Sequence, residues 1–323
     1  MTTTLAFDPG YGNIKLFGRK GGLVMPSCVS VGSNPSLRRM AGLRTAKPPL
    51  RIEVQAGLFH VGENAHDWGR PVENLDFERL TSSPEMLALF YGAITRYGVP
   101  TDPVDLIVGL PIASLMGEEA SATQQGVRSA FGGTHRWRAD GAEHTLTVTA
   151  VHVTSQPVGA MFDYLLDDQG ALLSSRRAAF KGEMGILGIG LNTVDLLVVR
   201  DSSPVQRFTT GGKLGVRRLL ELLHPEGTYS LGELDGRLRE GSLEVAKALP
   251  VWQSEVLGFI ERHWGSAFGR FDVVLVVSGG ALFLRESLLR RFRERLFVPY
   301  DPILATARGL YKYLLMRTRR RQP

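Results

Sequence analysis

Hydrophobic and polar positions alternate over short distances at the start of the chain. Residues 4–8, 13–19 and 23–31 have the pattern of short strands, and the glycine-rich stretches between them have the composition of tight turns. Three strands joined in this way predict an antiparallel meander. Residues 84–97 instead repeat their hydrophobic positions with a helical period. The chain is therefore predicted to begin as a mixed α/β structure.

The same pattern predicts further elements along the rest of the chain. The predicted strands are 50–54, 58–61, 104–110, 144–154, 185–200 with a glycine-rich turn inside it, 204–208 and 272–277. The predicted helices are 117–131, 156–166, 214–223, 231–248, 251–263, 287–295 and 305–317. Strand, glycine-rich turn and strand thus occur twice, near residues 5–19 and 186–200. Two α/β halves that face each other predict a ligand-binding cleft between them.

Composition narrows the class of protein. The chain has 323 residues, 43% hydrophobic and 22% charged, which is the balance of a soluble globular protein of about two domains. It contains neither a secretory signal nor an apolar run of about 18 residues, so we expect a cytoplasmic protein without a membrane span. Cys28 is the single cysteine. The net charge of +6 is partly local, because residues 317–321 read RTRRR. This basic end either contacts nucleic acid weakly or is a solvated terminus.

The first candidate motif is the segment Asp8 to Lys15, which reads DPGYGNIK. A tight turn exposes successive backbone N–H groups that can surround an anion, and glycine lets this backbone approach a phosphate. Lys15 adds a positive charge. Asp8 can hold the water shell of Mg²⁺, which binds one or two carboxylates beside waters and phosphate oxygens. An ordinary hairpin with a surface lysine would explain the same residues, so this motif alone leaves both interpretations open.

Two later motifs have similar chemistry. Gly188 to Asp195 reads GIGLNTVD and forms a second strand–turn–strand unit. Ser278 to Ala281 reads SGGA and follows an apolar strand, at the end of a strand where α/β sheets bind ligands. Two glycines there permit a flat ring or a ribose to lie against the backbone. Neither the dinucleotide fingerprint nor the Walker pattern occurs. Each motif alone is also explained by a simple turn, so their order and spacing are what favour a ligand site.

This order resembles the superfamily of actin, sugar kinases and heat-shock chaperone ATPases. Residues 8–15 resemble its first phosphate loop, residues 188–195 its second, and residues 278–281 its adenosine loop. SQPVGA at 155–160 and ATARGLY at 305–311 resemble the two connections between its lobes. Within the superfamily, the strings YGNIK, NTVDL and ARGLYKY are most similar to ParM-type actin-like proteins, which include plasmid-segregation actins and their archaeal and phage relatives.

The resemblance implies an α/β, two-lobed actin-like ATPase fold of duplicated ribonuclease-H-like halves around a nucleotide cleft. Lobe I would comprise residues 1–165 with the C-terminal helix 305–323, and lobe II residues 166–304. The implied ligands are ATP or ADP with Mg²⁺. Asp8 would organise the metal through water, and Gln156 occupies the place of the residue that orients the attacking water. The residues implied for nucleotide contact are Gly10, Tyr11, Gly12, Asn13, Lys15, Gly190, Asn192, Thr193, Lys213, Arg217, Ser278, Gly279, Gly280 and Ala281.

The second phosphate loop departs from the family at one position. Relatives begin this loop with Asp, an apolar residue and Gly, whereas this chain has Gly188 in place of the Asp. Loss of that carboxylate is expected to weaken metal binding and to slow hydrolysis, because positioning and electrostatics dominate phosphoryl transfer. Asp195 is expected to support the loop rather than to replace the missing group. We therefore expect at most a slow ATPase.

Three functions remain open at this stage. The resemblance implies a protein that assembles with itself into nucleotide-dependent filaments and positions DNA, such as a plasmid or phage genome, through a DNA-bound adaptor. A small-molecule kinase of the same superfamily would need a carboxylate base, for which the sequence offers no clear candidate. A non-polymerising nucleotide-binding scaffold is favoured by Gly188. Sedimentation with nucleotide separates the first function from the others, and phosphate release separates the first from the scaffold.

Overall fold

The computed structural model describes residues 2–32, 47–74 and 76–319 of the chain, and these residues form sixteen strands and ten α-helices. The strands are β1 (Thr3–Pro9), β2 (Asn13–Gly18), β3 (Gly21–Pro26), β4 (Val29–Val31), β5 (Leu50–Val54), β6 (Gly57–Val61), β7 (Arg70–Pro71), β8 (Val104–Leu110), β9 (Gly133–Ala139), β10 (Ala142–Ser155), β11 (Glu183–Ile189), β12 (Val194–Arg200), β13 (Ser203–Pro204), β14 (Thr210–Gly212), β15 (Val273–Val277) and β16 (Leu296–Phe297). The helices are α1 (Arg79–Ser82), α2 (Pro84–Tyr97), α3 (Ala120–Phe131), α4 (Gln156–Leu165), α5 (Arg177–Lys181), α6 (Val216–Leu223), α7 (Leu231–Arg239), α8 (Leu249–Trp264), α9 (Ala281–Phe292) and α10 (Ala305–Arg319).

The first ten strands form one sheet in the order β3-β2-β1-β8-β10-β9-β5-β6-β4-β7. Strand β1 pairs antiparallel with β2 and parallel with β8, and β2 pairs antiparallel with β3. The predicted meander at the start of the chain is confirmed. The predicted third strand, 23–31, is divided into β3 and β4, which lie far apart in the sheet. Pro26 ends β3, since proline has no N–H to donate to a ladder.

The second sheet repeats the centre of the first. Its order is β13-β12-β11-β15-β16, and β14 pairs with β12. Strand β11 pairs antiparallel with β12 and parallel with β15, just as β1 pairs with β2 and β8. Every residue of β11 and of β15 is buried. Such strands are covered on both faces, as parallel strands require. The internal repeat predicted from the two strand–turn–strand units is therefore observed.

Helices α4 and α10 connect the two sheets and contact each other. Apolar residues of α4 pack against the second sheet in a cluster that includes Met161, Leu165, Ile186 and Leu275. Residues of α10 pack against β1 and β8 in a cluster of Ala6, Ile107, Leu310 and Leu314. Because each helix packs on a different sheet, their mutual contact joins the halves of the molecule.

Two glycines permit this close helix contact. A Cβ atom on Gly159 of α4 would lie 2.6 Å from the carbonyl oxygen of Thr306, and a Cβ atom on Gly309 of α10 would overlap the backbone of Gly159. Asp163 of α4 fixes the contact, because Arg308 of α10 donates to its carboxylate from Nε at 2.7 Å and from Nη2 at 2.6 Å. This bidentate pair is stronger and more directional than a single hydrogen bond.

Several predicted elements differ from the structure. Strand β9 was not predicted, and the strand expected at 204–208 is wrong, because residues 206–208 form a 3-10 turn after the two-residue β13. Helix α7 ends at Arg239 rather than at 248. Gly241 has φ 71°, a left-handed conformation that commonly follows a helix end. Helix α9 begins at Ala281, directly after the glycine pair, rather than at 287.

The basic C-terminal segment is only partly described. Arg317 and Arg319 belong to the last turn of α10, whereas Arg320 and Arg321 lie outside the described residues. Arg317 lies with its guanidinium 5.9 Å from the centre of the Tyr313 ring. In the part of the chain that the structure describes, no helix combines the length and the apolar character needed to cross a membrane.

Candidate functional site

A cavity of about 380 Å³ is lined by residues from both halves of the molecule. This volume lies within the range of about 300–1,000 Å³ that is usual for ligand pockets. The walls come from the β1–β2 turn, the β11–β12 turn, the segment after β15, and helices α4, α6, α7 and α9. The lining residues are Asp8, Gly10, Tyr11, Gly12, Asn13, Lys15, Gln156, Gly190, Leu191, Asn192, Thr193, Val216, Asp235, Leu238, Arg239, Ser278, Gly279, Gly280, Leu282, Phe283 and Ile303.

The first turn brings an acid and a base together at the cavity wall. Asp8 and Lys15 are cross-strand partners in β1 and β2, and Lys15 Nζ donates to Asp8 Oδ2 at 3.0 Å. Both side chains are buried. A Cβ atom on Gly10 would lie 2.6 Å from the Asn13 carbonyl oxygen and 2.9 Å from Lys15 Nζ. Glycine is therefore required for the turn to fold back so closely on its own lysine.

Gln156 completes the surroundings of Asp8. It is the first residue of α4, where the helix has just left strand β10, and its Nε2 donates to Asp8 Oδ1 at 2.7 Å. One carboxylate oxygen of Asp8 thus faces an ammonium group and the other an amide. These contacts hold a buried carboxylate in one orientation at the cavity wall, and they satisfy the charge that burial would otherwise penalise.

Tyr11 projects from the same turn against a buried cation. Its ring lies 4.9 Å from the Arg79 guanidinium and packs edge-on against Phe77, with ring centres 6.2 Å apart. Burial raises the pKa of the Tyr11 hydroxyl well above its usual value, although the Arg79 charge opposes this shift. The phenol therefore stays neutral. Tyr11 therefore forms part of the cavity wall and presents a neutral hydroxyl group.

The second turn is built against helix α6. Gly190 N donates to the Thr193 carbonyl oxygen at 2.9 Å and closes the turn, in which Thr193 is buried. The first N–H groups of α6 bind the turn from its other side, because Val216 N donates to the Gly190 carbonyl at 3.0 Å and Arg217 N to that of Leu191 at 2.8 Å. The unpaired donors of a helix start are thus satisfied by the turn, which fixes its position.

Asp195 holds the second turn in place through its carboxylate. Its Oδ2 accepts from Thr193 Oγ1 at 3.1 Å, and its Oδ1 accepts from Ile112 N, which follows β8 in the other half, at 3.2 Å. The pKa of Asp195 is raised to about 7, chiefly by burial and to a smaller extent by the charge of Asp8, whereas the two hydrogen bonds oppose this shift. Gly188 is its cross-strand partner. Asp195 thus links the two halves behind the cavity.

The segment after β15 comes close to the second turn. Ser278 has φ 73°, a conformation that is uncommon for a residue other than glycine, and its N–H donates to the Pro302 carbonyl at 2.7 Å. Gly280 N donates to the Ile189 carbonyl at 2.9 Å. A Cβ atom on Gly280 would overlap the Ile189 side chain, whereas one on Gly279 would meet open space. The start of α9 therefore lies directly beside the second turn.

Comparison with known proteins identifies this arrangement. Residues 6–159 match the family model described as the actin like proteins N terminal domain. The match includes the first turn and the start of α4, and hence both Asp8 and Gln156. The N-terminal half of the chain therefore contains an actin-like domain. The match ends before the second turn, so the rest of the molecule is compared through its fold.

Solved structures of ParM and of an archaeal actin homolog share the fold over nearly the whole chain. Apo pSK41 ParM has a TM-score of 0.73 at 17% identity, with 99% of each chain covered. The archaeal actin homolog Ta0583 in complex with ADP has a TM-score of 0.70 at 17% identity, covering 99% of this chain and 100% of that one. A 15-stranded ParM filament from Clostridium botulinum has a TM-score of 0.73 at 18% identity, covering 97% and 98%. None of the curated proteins matches.

The actin-like fold brings most of the predicted site residues together. Asp8, Gln156, the five predicted residues of the first turn, Gly190, Asn192 and Thr193 of the second, and Ser278, Gly279 and Gly280 all line the cavity. Lys213, Arg217 and Ala281 do not line it. Lys213 is exposed, Arg217 pairs with Glu221 at 3.1 Å on the surface of α6, and Ala281 is fully buried.

Sequence reasoning missed two groups of lining residues. An apolar group consists of Leu191, Val216, Leu238, Leu282, Phe283 and Ile303. A polar pair, Asp235 and Arg239, comes from helix α7. The sequence contains a signal for part of the apolar group, since Leu282 and Phe283 come shortly after the glycine pair. The polar pair had only the i, i+4 spacing of an acid and a base in a helix, a spacing typical of solvated surfaces as well.

Proposed function

We propose that the actin-like protein binds ATP or ADP with Mg²⁺ in this cavity. The observation that carries the proposal is the convergence of two glycine-containing turns, one from each sheet, with Lys15 on one of them. Backbone N–H groups and a cation at one end suit phosphates, and the apolar side chains from α6, α7 and α9 suit a base. The ADP complex of Ta0583, a structure of the same fold, supports this assignment.

The residues present also fit a magnesium ion. Asp8 is 1% exposed, lines the cavity and offers one carboxylate, which is what Mg²⁺ uses beside waters and phosphate oxygens. Lys15 is paired with Asp8, and a bound phosphate would give its ammonium group a second anionic partner. The metal would supply positive charge to the phosphates. Asp8 would hold its waters, and Gln156, which bonds the same carboxylate, would help to orient a water molecule.

We further propose that nucleotide-bound molecules assemble head to tail into filaments. The fold supports this, because helices α4 and α10 connect the halves and a ligand between the turns stabilises one relative position of these halves. A ligand shifts a population toward the form it binds better, and a head-to-tail contact that does not close on itself extends into a filament. The ParM filament from Clostridium botulinum has the same fold.

The proposed use of such filaments is to move or position DNA in the cytoplasm, through an adaptor bound to that DNA. The ParM-type fold supports this use by analogy. The basic end of α10 offers weak additional contact with nucleic acid. Hydrolysis is expected to be slow, because Gly188 supplies no carboxylate to the second turn. The same observation favours a second candidate, a nucleotide-binding scaffold that does not polymerise.

A small-molecule kinase is less well supported. Two carboxylates line the cavity among the described residues, and each has a cationic partner, Lys15 for Asp8 and Arg239 for Asp235. A kinase of this superfamily would need a carboxylate that is free to accept the proton of a substrate hydroxyl. The pairing of both candidates leaves that role without a residue in the described part of the chain.

Light scattering followed by negative-stain electron microscopy tests the proposal. Purified protein is compared with Mg²⁺ and ATP, with Mg²⁺ and ADP, and without nucleotide, while calorimetry measures binding independently. We expect filaments that form only with nucleotide. Binding without assembly in every condition would instead establish the scaffold, and absence of binding would overturn the nucleotide assignment itself.

A further inference from the structure

The guanidinium of Arg239 joins the two halves at the cavity. Arg239 ends helix α7, which belongs to the chain segment of the second sheet, yet its Nη2 donates to the Gly12 carbonyl oxygen at 2.9 Å and its Nη1 donates to Asn13 Oδ1. Both acceptors belong to the first turn. Among the cavity-lining residues that the structure describes, Lys15 and Arg239 are the lysine and arginine side chains, one from each half.

Asp235 holds this guanidinium in place. It lies one helical turn earlier on α7 and accepts from Arg239 Nε at 2.9 Å and also from Nη2. Asp235 is 8% exposed, whereas the Arg239 side chain keeps 34% of its surface exposed, so the carboxylate is shielded from water and the guanidinium stays accessible to a ligand. Burial raises the pKa of Asp235, and the charge of Arg239 opposes this shift. An arginine fixed by a buried carboxylate loses little further freedom when it binds a third group.

The other end of α7 is attached to the first half as well. Gly232 N donates to Glu73 Oε1 at 2.7 Å, and a Cβ atom on Gly232 would overlap the ring of His66. Ser230 and Glu233 close the first turn of the helix with a reciprocal capping box. Both ends of α7 therefore contact the first half, on the α7 side of the cavity. Opening of the cavity on this side requires these contacts to break.

The first turn is itself adapted to this contact. Besides the bond from Arg239, the Gly12 carbonyl oxygen accepts from Ser27 N at 3.0 Å. A Cβ atom on Gly12 would lie 3.1 Å from Leu191 Cβ, which is a tight contact, so glycine lets the first turn approach the second turn beside the guanidinium. The four recorded contacts of Arg239 engage four of the five N–H groups of a guanidinium, which leaves one, on Nη1, for an oxygen of a ligand among the described groups.

We propose that Arg239, positioned by Asp235, is a clasp between the two halves that controls how fast a phosphate-bearing ligand leaves the cavity. This proposal rests on the proposed nucleotide binding for its ligand, although the clasp itself is a contact within the chain. With a phosphate at the first turn, the guanidinium gains an anionic partner while it keeps the backbone contact. Release of the ligand then requires the Arg239 contacts to break first.

The test compares Arg239→Gln with a matched variant, Arg237→Gln, on the same helix. Arg237 stacks on Tyr229 at 3.9 Å and does not line the cavity. Stopped-flow release of a fluorescent ADP analogue, N-methylanthraniloyl-ADP, is measured after addition of excess ADP. We expect release to be about ten-fold faster, or more, in Arg239→Gln, since it loses hydrogen bonds to a charged group. Arg237→Gln is expected within about two-fold of the parent, because its contacts lie outside the cavity.

Two further variants and a second measurement make the outcome decisive. Asp235→Asn is also expected to speed release of the ADP analogue. Arg239→Lys is expected to release it at a rate between those of the parent and of Arg239→Gln, since lysine cannot reach both acceptors in a planar fork. Amide hydrogen exchange without nucleotide reports on the clasp alone. Exchange at Ser27, whose N–H binds Gly12, is expected to rise in Arg239→Gln but not in Arg237→Gln.

Release and exchange that both equal those of the parent in Arg239→Gln would overturn the clasp, even where nucleotide binds normally. A parent protein that does not bind the ADP analogue would overturn the proposed function instead, and hydrogen exchange would then still decide whether the clasp exists. Thermal denaturation of each variant verifies that any change in release occurs in a folded protein.

Discussion

Gly188 and Asp195 are cross-strand partners in the second hairpin, at the positions that Asp8 and Lys15 occupy in the first. The first hairpin therefore presents a carboxylate and an ammonium group, whereas the second presents only a carboxylate on its returning strand. A Cβ atom on Gly188 would meet nothing closer than Asp195 Cβ, at 3.8 Å. The backbone thus has room for the side chain that the resemblance to other actin-like proteins leads one to expect there.

Gly188→Asp is predicted to accelerate ATP hydrolysis without disrupting the fold. The new carboxylate would lie beside Asp195, whose pKa of about 7 leaves that neighbour partly protonated at neutral pH, which limits repulsion. We expect phosphate release to increase by about 10²-fold, the lower end of the range of roughly 10²–10⁴-fold that a positioned acid or base contributes. A continuous phosphate-release assay with Mg²⁺ and ATP measures the rate.

Gly188→Asn is the matched control, because it adds the same volume without the charge. A rate that rises equally in both variants would show that side-chain volume, rather than a carboxylate, was missing. A rate unchanged in both would contradict the prediction.

Asp195→Asn is predicted to flatten the dependence of stability on pH. The pKa of Asp195 is about 7 in the folded chain, against an ordinary value of 3.8. Because the folded state binds this proton more tightly, the stabilising contribution is fully present below the ordinary value and is lost as the pH rises through about 7. Between about pH 5.5 and about pH 8 the free energy of unfolding should fall by about 2 kcal/mol more in the parent than in the variant.

Urea denaturation of both proteins at these two pH values measures the difference. Asparagine can still accept from Ile112 N and can donate to Thr193 Oγ1, so the turn should persist. The same loss of stability in parent and variant would show that another group is responsible.

The sequence predicted the parts of the site that depend on local backbone chemistry. Turns such as 8–15 and 188–195 depend on glycines within a few residues of each other, so their composition is a sufficient signal. The start of α9 was misplaced for the opposite reason. Gly279 and Gly280 resemble a turn in isolation, and only the bond from Gly280 N to the Ile189 carbonyl, formed between distant segments, shows why a helix can begin there.

Strand β9 and the clasp show two other limits of prediction from sequence. The alternation of buried His135, Trp137 and Ala139 with arginines is the pattern of a half-buried strand, but the preceding Gly132 and Gly133 resemble a long loop. The contact of Arg239 with the first turn leaves no local signal, because its acceptors lie more than two hundred residues earlier in the chain. Contacts between halves follow from the tertiary fold, which residue patterns within one segment do not contain.

Gly280→Ala is predicted to destabilise the protein, whereas Gly279→Ala is predicted to leave its stability unchanged. The added methyl group at 280 would overlap the Ile189 side chain and lie 2.9 Å from its carbonyl oxygen, so α9 must move away from the second turn. Such overpacking costs about 1–3 kcal/mol. The methyl group at 279 would meet open space. Denaturant titrations of the two variants measure the contrast.

The two variants also separate an effect on stability from an effect on nucleotide binding. Gly279 lines the cavity, so its alanine variant should weaken nucleotide binding while the midpoint of denaturation stays the same. Equal stability of both variants would contradict the close contact between α9 and the second turn.

Gln156→Ala is predicted to slow hydrolysis while nucleotide affinity stays nearly unchanged. Its Nε2 bonds Asp8 Oδ1 at 2.7 Å, which puts the amide beside the carboxylate proposed to hold metal-bound water. Loss of this positioning should lower phosphate release by about 10²-fold, whereas the dissociation constant should change by less than about three-fold, since positioning acts mainly in the transition state.

Gln124→Ala, on the surface of α3, is the control for a general effect of removing a glutamine, because Gln124 bonds only Arg128 of the same helix among the recorded contacts of the described residues. Fluorescent-nucleotide titration and phosphate release are measured on the same samples. If affinity and hydrolysis fall together in Gln156→Ala, the amide acts by holding Asp8 for binding rather than by orienting water. If neither falls, the short contact between Gln156 and Asp8 has no part in the chemistry, and Asp8 must be oriented by Lys15 alone.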